Sequence, residues 1–91
     1  MKAQLIKASG EKSDFIPATG KRFTLEELQK AVGGYIEIMY LKDRVMIMNE
    51  EAKLKVGMNP NAAATELASG KIGSWEVILG DIVLAPYEMI N

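Results

Sequence analysis

The sequence predicts an α+β fold, in which a small mixed or antiparallel sheet of about 4–6 short strands has two short helices packed on it. Runs of strand length, rich in Ile, Val, Tyr and Met, are separated by segments that carry helix-capping residues. A chain of 91 residues, 48% apolar and 25% charged, is long enough to bury one hydrophobic core and too short for two domains. We therefore expect residues 1–91 to form a single domain.

The N-terminal segment predicts a strand at residues 3–8, centred on an apolar Leu-Ile pair. Residues 9–14 have the composition of a polar turn, and residues 14–17 are compatible with a second short strand. Pro17 has no N–H to donate to a strand ladder. The second strand must therefore end at Pro17 or lie at an edge of the sheet.

A helix is predicted over residues 25–32. Thr24 and Glu27 have the T-x-x-E spacing of a capping box, in which each side chain accepts a hydrogen bond from a backbone N–H at the helix start. Gly33 and Gly34 follow, and glycine readily takes the left-handed conformation that ends a helix.

A β-hairpin is predicted next, with strands at residues 35–41 and 44–49 and a turn at Lys42-Asp43. A two-residue loop sets the register, and directly opposed residues share a face of the sheet. The face predicted to join the core carries Ile36, Ile38, Tyr40, Val45 and Ile47, and the other carries Tyr35, Glu37, Met39, Leu41, Arg44, Met46 and Met48.

The second hairpin face is apolar as well, and its methionines leave two interpretations open. Met39, Met46 and Met48 could be covered by the domain's own helices, or they could contact a partner, either a second copy in a homodimer or a host protein. Trp75, in a polar loop, has the same two interpretations, because aromatic side chains are common both in cores and at interfaces.

The C-terminal half predicts a second helix and a closing strand region. Asn59 and Pro60 match a helix N-cap followed by proline at the first helical position, and the helix would run to Gly70. Apolar runs at residues 77–79 and 82–84 follow. The Gly80-Asp81 pair between them is either a tight turn between two strands or a bulge within one.

The absence of cysteine and histidine restricts the chemistry. It removes disulfides, thiolate nucleophiles and zinc sites built on sulfur, together with the commonest general base and the commonest transition-metal ligand. No cofactor motif is present, so we expect no cofactor and no bound metal. A hard cation held by oxygens, or acid–base chemistry by carboxylates, is the remaining route to an enzyme.

Charge and hydropathy indicate which partners and which cellular location to expect. The net charge is −1 and the longest basic run is Lys21-Arg22, which disfavours nucleic acid as a partner. No stretch of 18 apolar residues predicts a membrane span, and residues 1–7 lack the apolar core of a signal peptide. We therefore expect a cytoplasmic protein.

Residues 28–84 resemble the family of domain of unknown function 3846, which is found in phages, mobile elements and gut bacteria. The resemblance is carried by the motifs at residues 33–37, 49–54, 59–65 and 78–84, taken in order and spacing. The hairpin turn departs from the family pattern, because Lys42-Asp43-Arg44 contains no glycine. The resemblance implies a phage or mobile-element origin in a bacterial cytoplasm, and it assigns no activity. If the family has a shared site, we expect it among Glu37, Asn49, Glu50, Asn59 and Asp81.

Three functional hypotheses follow from these observations. The first is a non-enzymatic binding or protein-interaction module. The second is a small-ligand protein, for a nucleotide or signalling molecule, with Asn49, Glu50 and Asn59 near the pocket. The third is a metal-dependent carboxylate enzyme that uses Glu50 and Glu51 with Glu37, Asp43 or Asp81, although solvated surface charge explains these residues more simply.

Overall fold

The computed structural model describes residues 2–55 and 57–90. Five strands form one antiparallel sheet in the order β2-β1-β5-β4-β3. This arrangement confirms the predicted α+β class. The described elements are β1 (Gln4–Ile6), β2 (Lys12–Asp14), α1 (Leu25–Val32), β3 (Ile36–Tyr40), β4 (Val45–Asn49), a 3₁₀ helix (Ala52–Leu54), α2 (Ala62–Leu67), β5 (Ile82–Ala85) and a second 3₁₀ helix (Tyr87–Met89).

Helix α1 has the predicted bounds and the predicted cap. The backbone N–H of Glu27 donates to Thr24 Oγ1 at 3.1 Å, and the backbone N–H of Thr24 donates to Glu27 Oε1 at 2.8 Å. Gly33 ends the helix in the left-handed conformation, with φ of 83°. The local sequence is therefore sufficient to define this helix.

The β3–β4 hairpin has the predicted register. Tyr40 pairs with Val45, Met39 with Met46 and Ile38 with Ile47. The two predicted faces of the hairpin are therefore the two faces of the sheet.

Each face of the sheet is covered, so the fold has three layers. One core cluster lies between the sheet and α1, and the other lies between the sheet and α2 with the segment before β5. The central strands β4 and β5 are consequently buried on both faces, which explains their uninterrupted apolar sequences. The first cluster includes Phe23, Leu28, Val32, Val45, Ile47 and Val83, and the second includes Ile6, Met46, Met48, Ala64, Ala68, Ile78, Ile82 and Leu84.

The second strand differs from the predicted segment 14–17, because β2 is Lys12–Asp14. A tight turn joins it to β1, with Gly10 at φ of 99° and a bond from Lys7 N–H to Glu11 O at 2.9 Å. Pairing therefore begins immediately after the turn. Phe15 N–H still donates to Ala3 O at 2.9 Å, and the Phe15 ring stacks on Phe23, with ring centroids 4.8 Å apart.

The start of α2 also differs from the prediction. Its N-cap is Asn61, whose side chain accepts from Ala64 N–H at 3.0 Å, whereas Pro60 lies before the helix and forms a bridge with Leu79. Asn59 is therefore not the cap. The sequence Asn-Pro-Asn offers two capping residues, and tertiary hydrogen bonds select the second.

The closing region contains one strand. Leu79 makes only the bridge to Pro60, and Gly80, at φ of 83°, bends the chain into β5. The predicted tail after Pro86 is packed, because Met89 and Ile90 contact the α1 cluster and Met89 O accepts from Phe23 N–H at 2.8 Å.

None of the helices within residues 2–55 and 57–90 is long and apolar enough to cross a membrane.

Candidate functional site

The five predicted site residues divide between two clefts. Glu37, Asn49 and Glu50 line the first, a cavity of about 160 Å³ on the α2 face of the hairpin. Asn59 and Asp81 line the second, a depression of about 360 Å³ beside the C-terminal end of α1. The structure therefore brings three of the five together and separates the other two from them.

Two carboxylates and the side chain of Lys53 line the first cleft. Glu37 comes from β3, and Glu50 directly follows β4. Lys53 Nζ lies 3.4 Å from Glu76 Oε2. The pKa of Glu76 is lowered because the Gly73 N–H donates to its carboxylate and because Lys53 lies beside it. The charge of Lys53 is thus engaged by Glu76.

Asn49 lines the first cleft but has a structural role. Its Nδ2 donates to Val32 O at 3.1 Å, and its Oδ1 accepts from Glu51 N–H at 2.8 Å. Both polar atoms of this buried side chain are therefore used within the fold, where they attach the end of α1 to the end of β4. The binding role that the sequence suggests for Asn49 stays a prediction.

Asp81 and Asn59 also contribute to the fold. Asp81 Oδ1 accepts from Ala8 N–H at 3.0 Å, which fixes the end of β1. The backbone oxygen of Asn59 accepts from Gly80 N–H at 2.8 Å, while its side chain is exposed. The second cleft thus lies where the segments that contain Ala8, Asn59 and Gly80-Asp81 meet.

Asn61 is the polar residue that sequence reasoning missed. It is only 1% exposed, and its Nδ2 donates to Ile6 O at 3.0 Å and to Gly80 O at 2.9 Å. One side chain therefore connects β1, α2 and the bend before β5. The local signal for it is the second Asn of Asn-Pro-Asn, directly before the alanine run.

The carboxylates provide no metal cage within the part of the chain that the structure describes, where no three Asp or Glu side chains group closely enough to hold an ion. The pKa of Glu27 is lowered because the backbone N–H groups of Thr24 and Ala18 donate to it. Such a carboxylate is held ionised, and a general acid needs the opposite shift.

The predicted interface residues have different environments. Met46 is 0% exposed and Met48 is buried, both covered by α2 and the segment before β5. Met39 is half-buried against the same cluster. Trp75 is 84% exposed. Of the two interpretations of the methionine face, covering by the domain itself describes Met46 and Met48.

The outer edge of β3 is the feature that strand order alone reveals. Leu41 N–H donates to Arg44 O at 2.8 Å, and Glu50 N–H donates to Tyr35 O at 2.9 Å. Because hydrogen-bonded and non-bonded pairs alternate along an antiparallel ladder, the odd-numbered residues of β3 bond to β4. The backbone N–H and C=O groups of the even-numbered residues point away from the sheet, and no described residue bonds to them. These residues are Ile36, Ile38 and Tyr40.

The two edges of the sheet differ in how they resist pairing. β2, at one edge, has three residues, Lys-Ser-Asp, all exposed. Short length and charge are the usual ways in which proteins block an edge strand. β3, at the other edge, has five residues and one charge, Glu37. β3 is therefore the edge that is open to a further strand.

Exposed apolar side chains lie on both sides of this edge. On the α1 face, Tyr40 is 56% exposed, and its ring lies 5.9 Å from that of Tyr87. On the α2 face, the partly exposed Val77 lines the first cleft with Glu37.

Comparison with known families shows which family the chain belongs to. The family described as domain of unknown function (DUF3846) matches residues 1–88. The chain belongs to the DUF3846 family. The DUF3846 match extends the resemblance seen at residues 28–84 to residues 1–88, and so adds β1, β2 and the start of α1. No curated protein and no solved structure matches the chain.

Proposed function

We propose that this DUF3846 domain is a non-enzymatic protein-interaction module that binds an extended segment of a partner protein along β3. The supporting observation is the open edge, with outward backbone groups at Ile36, Ile38 and Tyr40. In strand addition, main-chain hydrogen bonds supply affinity, and side-chain contacts on the two faces supply specificity.

The surroundings of β3 define what the added segment would contact. Its residues on the α1 face would lie against Tyr40 and Tyr87, which favours an apolar or aromatic side chain. Its residues on the α2 face would lie beside Glu37 and Val77, at the mouth of the first cleft. A long side chain that is apolar, or that has an apolar stem and a cationic end, suits that position.

The small-ligand hypothesis has one observation in its favour, the convergence of Glu37, Asn49 and Glu50 on one cleft. Two observations weigh against it. The first cleft, about 160 Å³, is smaller than the roughly 300–1,000 Å³ of typical ligand sites, and the second cleft, about 360 Å³, contains neither Asn49 nor Glu50. Asn49 already uses both polar atoms within the fold. Strand addition is therefore the function that the geometry supports best.

The proposal includes a cytoplasmic location in bacteria and an origin in a phage or mobile element. The location agrees with a chain that has no cysteine to oxidise. The origin is supported by the resemblance of residues 28–84.

The test is selection of linear peptides from a random displayed library against the wild-type chain, followed by fluorescence anisotropy and amide NMR. Selected peptides should shift the amide resonances of Ile36, Ile38 and Tyr40 more than those of the odd-numbered residues. Ile38→Pro should weaken their binding at least about tenfold, because it removes an outward donor and leaves the β3–β4 ladder intact.

Lys12→Pro is the matched control. The ladder bonds from Lys7 N–H to Glu11 O and from Phe15 N–H to Ala3 O make Lys12 an outward-facing residue of the other edge. This variant should bind the peptides as the wild type does. Tyr40→Pro provides a second β3 variant at an exposed side chain, and circular dichroism checks that each variant is folded. Equal binding to the wild type and to both folded β3 variants would contradict the proposal.

A further inference from the structure

We infer that the segment bound along β3 is the β3 strand of a second copy of this chain, so that the domain is a symmetric homodimer. This inference rests on the proposed strand addition and names its partner. The two five-stranded sheets would then join across a two-fold axis into one continuous sheet.

The backbone limits how two β3 strands can pair. Residues with outward N–H and C=O groups must lie opposite residues with outward groups, because these pairs exchange both hydrogen bonds. Only registers that match even-numbered residues with even-numbered residues satisfy this condition. The register centred on Ile38 pairs all five residues, from Ile36 to Tyr40.

Side chains favour the centred register. On the α1 face, Ile38 lies opposite the partner's Ile38, and Ile36 lies opposite the partner's Tyr40. Both are apolar pairs, and aromatic residues paired with β-branched residues stabilise sheets. On the α2 face, Glu37 lies opposite the partner's Met39, so no like charges are directly opposed.

The neighbouring registers are less favourable. Moving the axis toward the start of β3 places Glu37 opposite the partner's Glu37, and directly opposed like charges destabilise a strand pair. Moving it toward the end pairs Met39 with the partner's Met39 and leaves Ile36 beyond the partner's strand. The centred register therefore pairs all five residues of β3 and places no like charges directly opposite each other.

A second copy also explains the asymmetry between the two edges. Pairing β3 with itself is isologous, so it uses the open edge in both copies and closes the assembly. The edges that remain are the two charged β2 strands, which resist further pairing. An edge left without a specific partner would instead be open to non-specific pairing and aggregation.

The length of β3 sets the expected strength of the dimer. Five paired residues span roughly 17 Å, so the interface is at the small end of specific protein interfaces. The dimer should therefore be concentration-dependent. Sedimentation equilibrium between about 1 μM and 1 mM covers the corresponding range of dissociation constants.

Sedimentation of the wild type should show a shift from monomer to dimer within that range. Ile38→Pro and Tyr40→Pro should each raise the dissociation constant at least about tenfold, and Lys12→Pro should leave it unchanged. A wild type that stays monomeric throughout overturns the inference, as does a dimer that neither β3 variant weakens. Peptides that still bind β3 of a monomeric wild type would show that strand addition holds while the second copy is not the partner.

The register has its own test, because the chain contains no cysteine. Glu37→Cys and Met39→Cys place single thiols on the α2 face of β3. Under mild oxidation, the centred register predicts disulfide-linked dimers in an equal mixture of the two variants and few in either variant alone. Efficient linking of Glu37→Cys alone, or of Met39→Cys alone, would assign one of the two neighbouring registers and overturn the centred one.

Discussion

Asn61 offers the sharpest test of what stabilises this fold. Its side chain caps α2 through Ala64 N–H and donates to Ile6 O and Gly80 O. Replacing an Asn cap with Ala costs about 1 kcal/mol, and each lost net hydrogen bond costs about 1 kcal/mol more. Asn61→Ala should therefore lower the free energy of unfolding by about 3 kcal/mol.

That loss is large for a chain of this size. At roughly 0.05–0.15 kcal/mol per residue, 91 residues give a total stability of roughly 5–14 kcal/mol. A loss of 3 kcal/mol corresponds to a decrease in Tm of about 12–24 °C. Urea unfolding followed by far-UV circular dichroism measures the free energy directly.

Asn59→Ala is the matched control, because Asn59 is the cap that the sequence pattern predicts. Its side chain is exposed, and the bond to Gly80 N–H uses its backbone oxygen, which the substitution keeps. This variant should stay within about 0.5 kcal/mol of the wild type. Equal destabilisation by Asn59→Ala and Asn61→Ala would refute the assignment of the cap.

The variant Asn61→Asp tests the two hydrogen bonds that Asn61 donates separately from its role as the cap of α2. The new carboxylate can still accept from Ala64 N–H, but it faces the oxygens of Ile6 and Gly80, so burial and these acceptors raise its folded-state pKa above the unfolded value of about 3.9. The variant is therefore least destabilised below the unfolded pKa, and its deficit grows as pH rises through the folded-state pKa. The deficit of Asn61→Ala should not depend on pH in this way.

Two further predictions concern the core and the α1 cap. Met46→Glu should lower the free energy of unfolding by more than about 4 kcal/mol, because it buries an unpaired charge at a fully buried position. Met46→Leu should cost less than about 1.5 kcal/mol. Thermal melts distinguish the two variants, and a Met46→Glu variant as stable as Met46→Leu would contradict the packing of this face. The pKa of Glu27 is lower in the folded than in the unfolded state, where it is about 4.3, so ionised Glu27 stabilises the fold above that pH. The stability advantage of the wild type over Glu27→Gln should therefore be lost as pH falls through the folded-state pKa. Urea titrations from pH 7 to 2 measure it, and a constant difference between the two proteins would be the contrary result.

The parts of the fold that the sequence predicted correctly depend on neighbours in the chain. The capping box that begins α1 joins residues three apart, and the hairpin register follows from a two-residue turn and alternating faces. The apolar residues of both hairpin faces were identified because period-two alternation is visible without knowing what covers each face.

The hydrogen bonds that the polar residues make within the fold were less predictable, because they depend on contacts that only folding brings. Asn49 and Asp81 were chosen as binding residues, yet each satisfies backbone groups distant in the sequence. Asn61 was passed over in favour of Asn59, since only the proximity of Ile6 and Gly80 distinguishes the two.

The sequence by itself determined the α+β class, helix α1, the β3–β4 pairing and the restricted chemistry of a chain without cysteine and histidine. The tertiary structure decided the strand order, and with it which strand is left at an edge. Strand order is a long-range property, because β5 inserts between β1 and β4 from the far end of the chain. For that reason the open β3 edge, on which the proposed function depends, becomes visible only in the folded molecule.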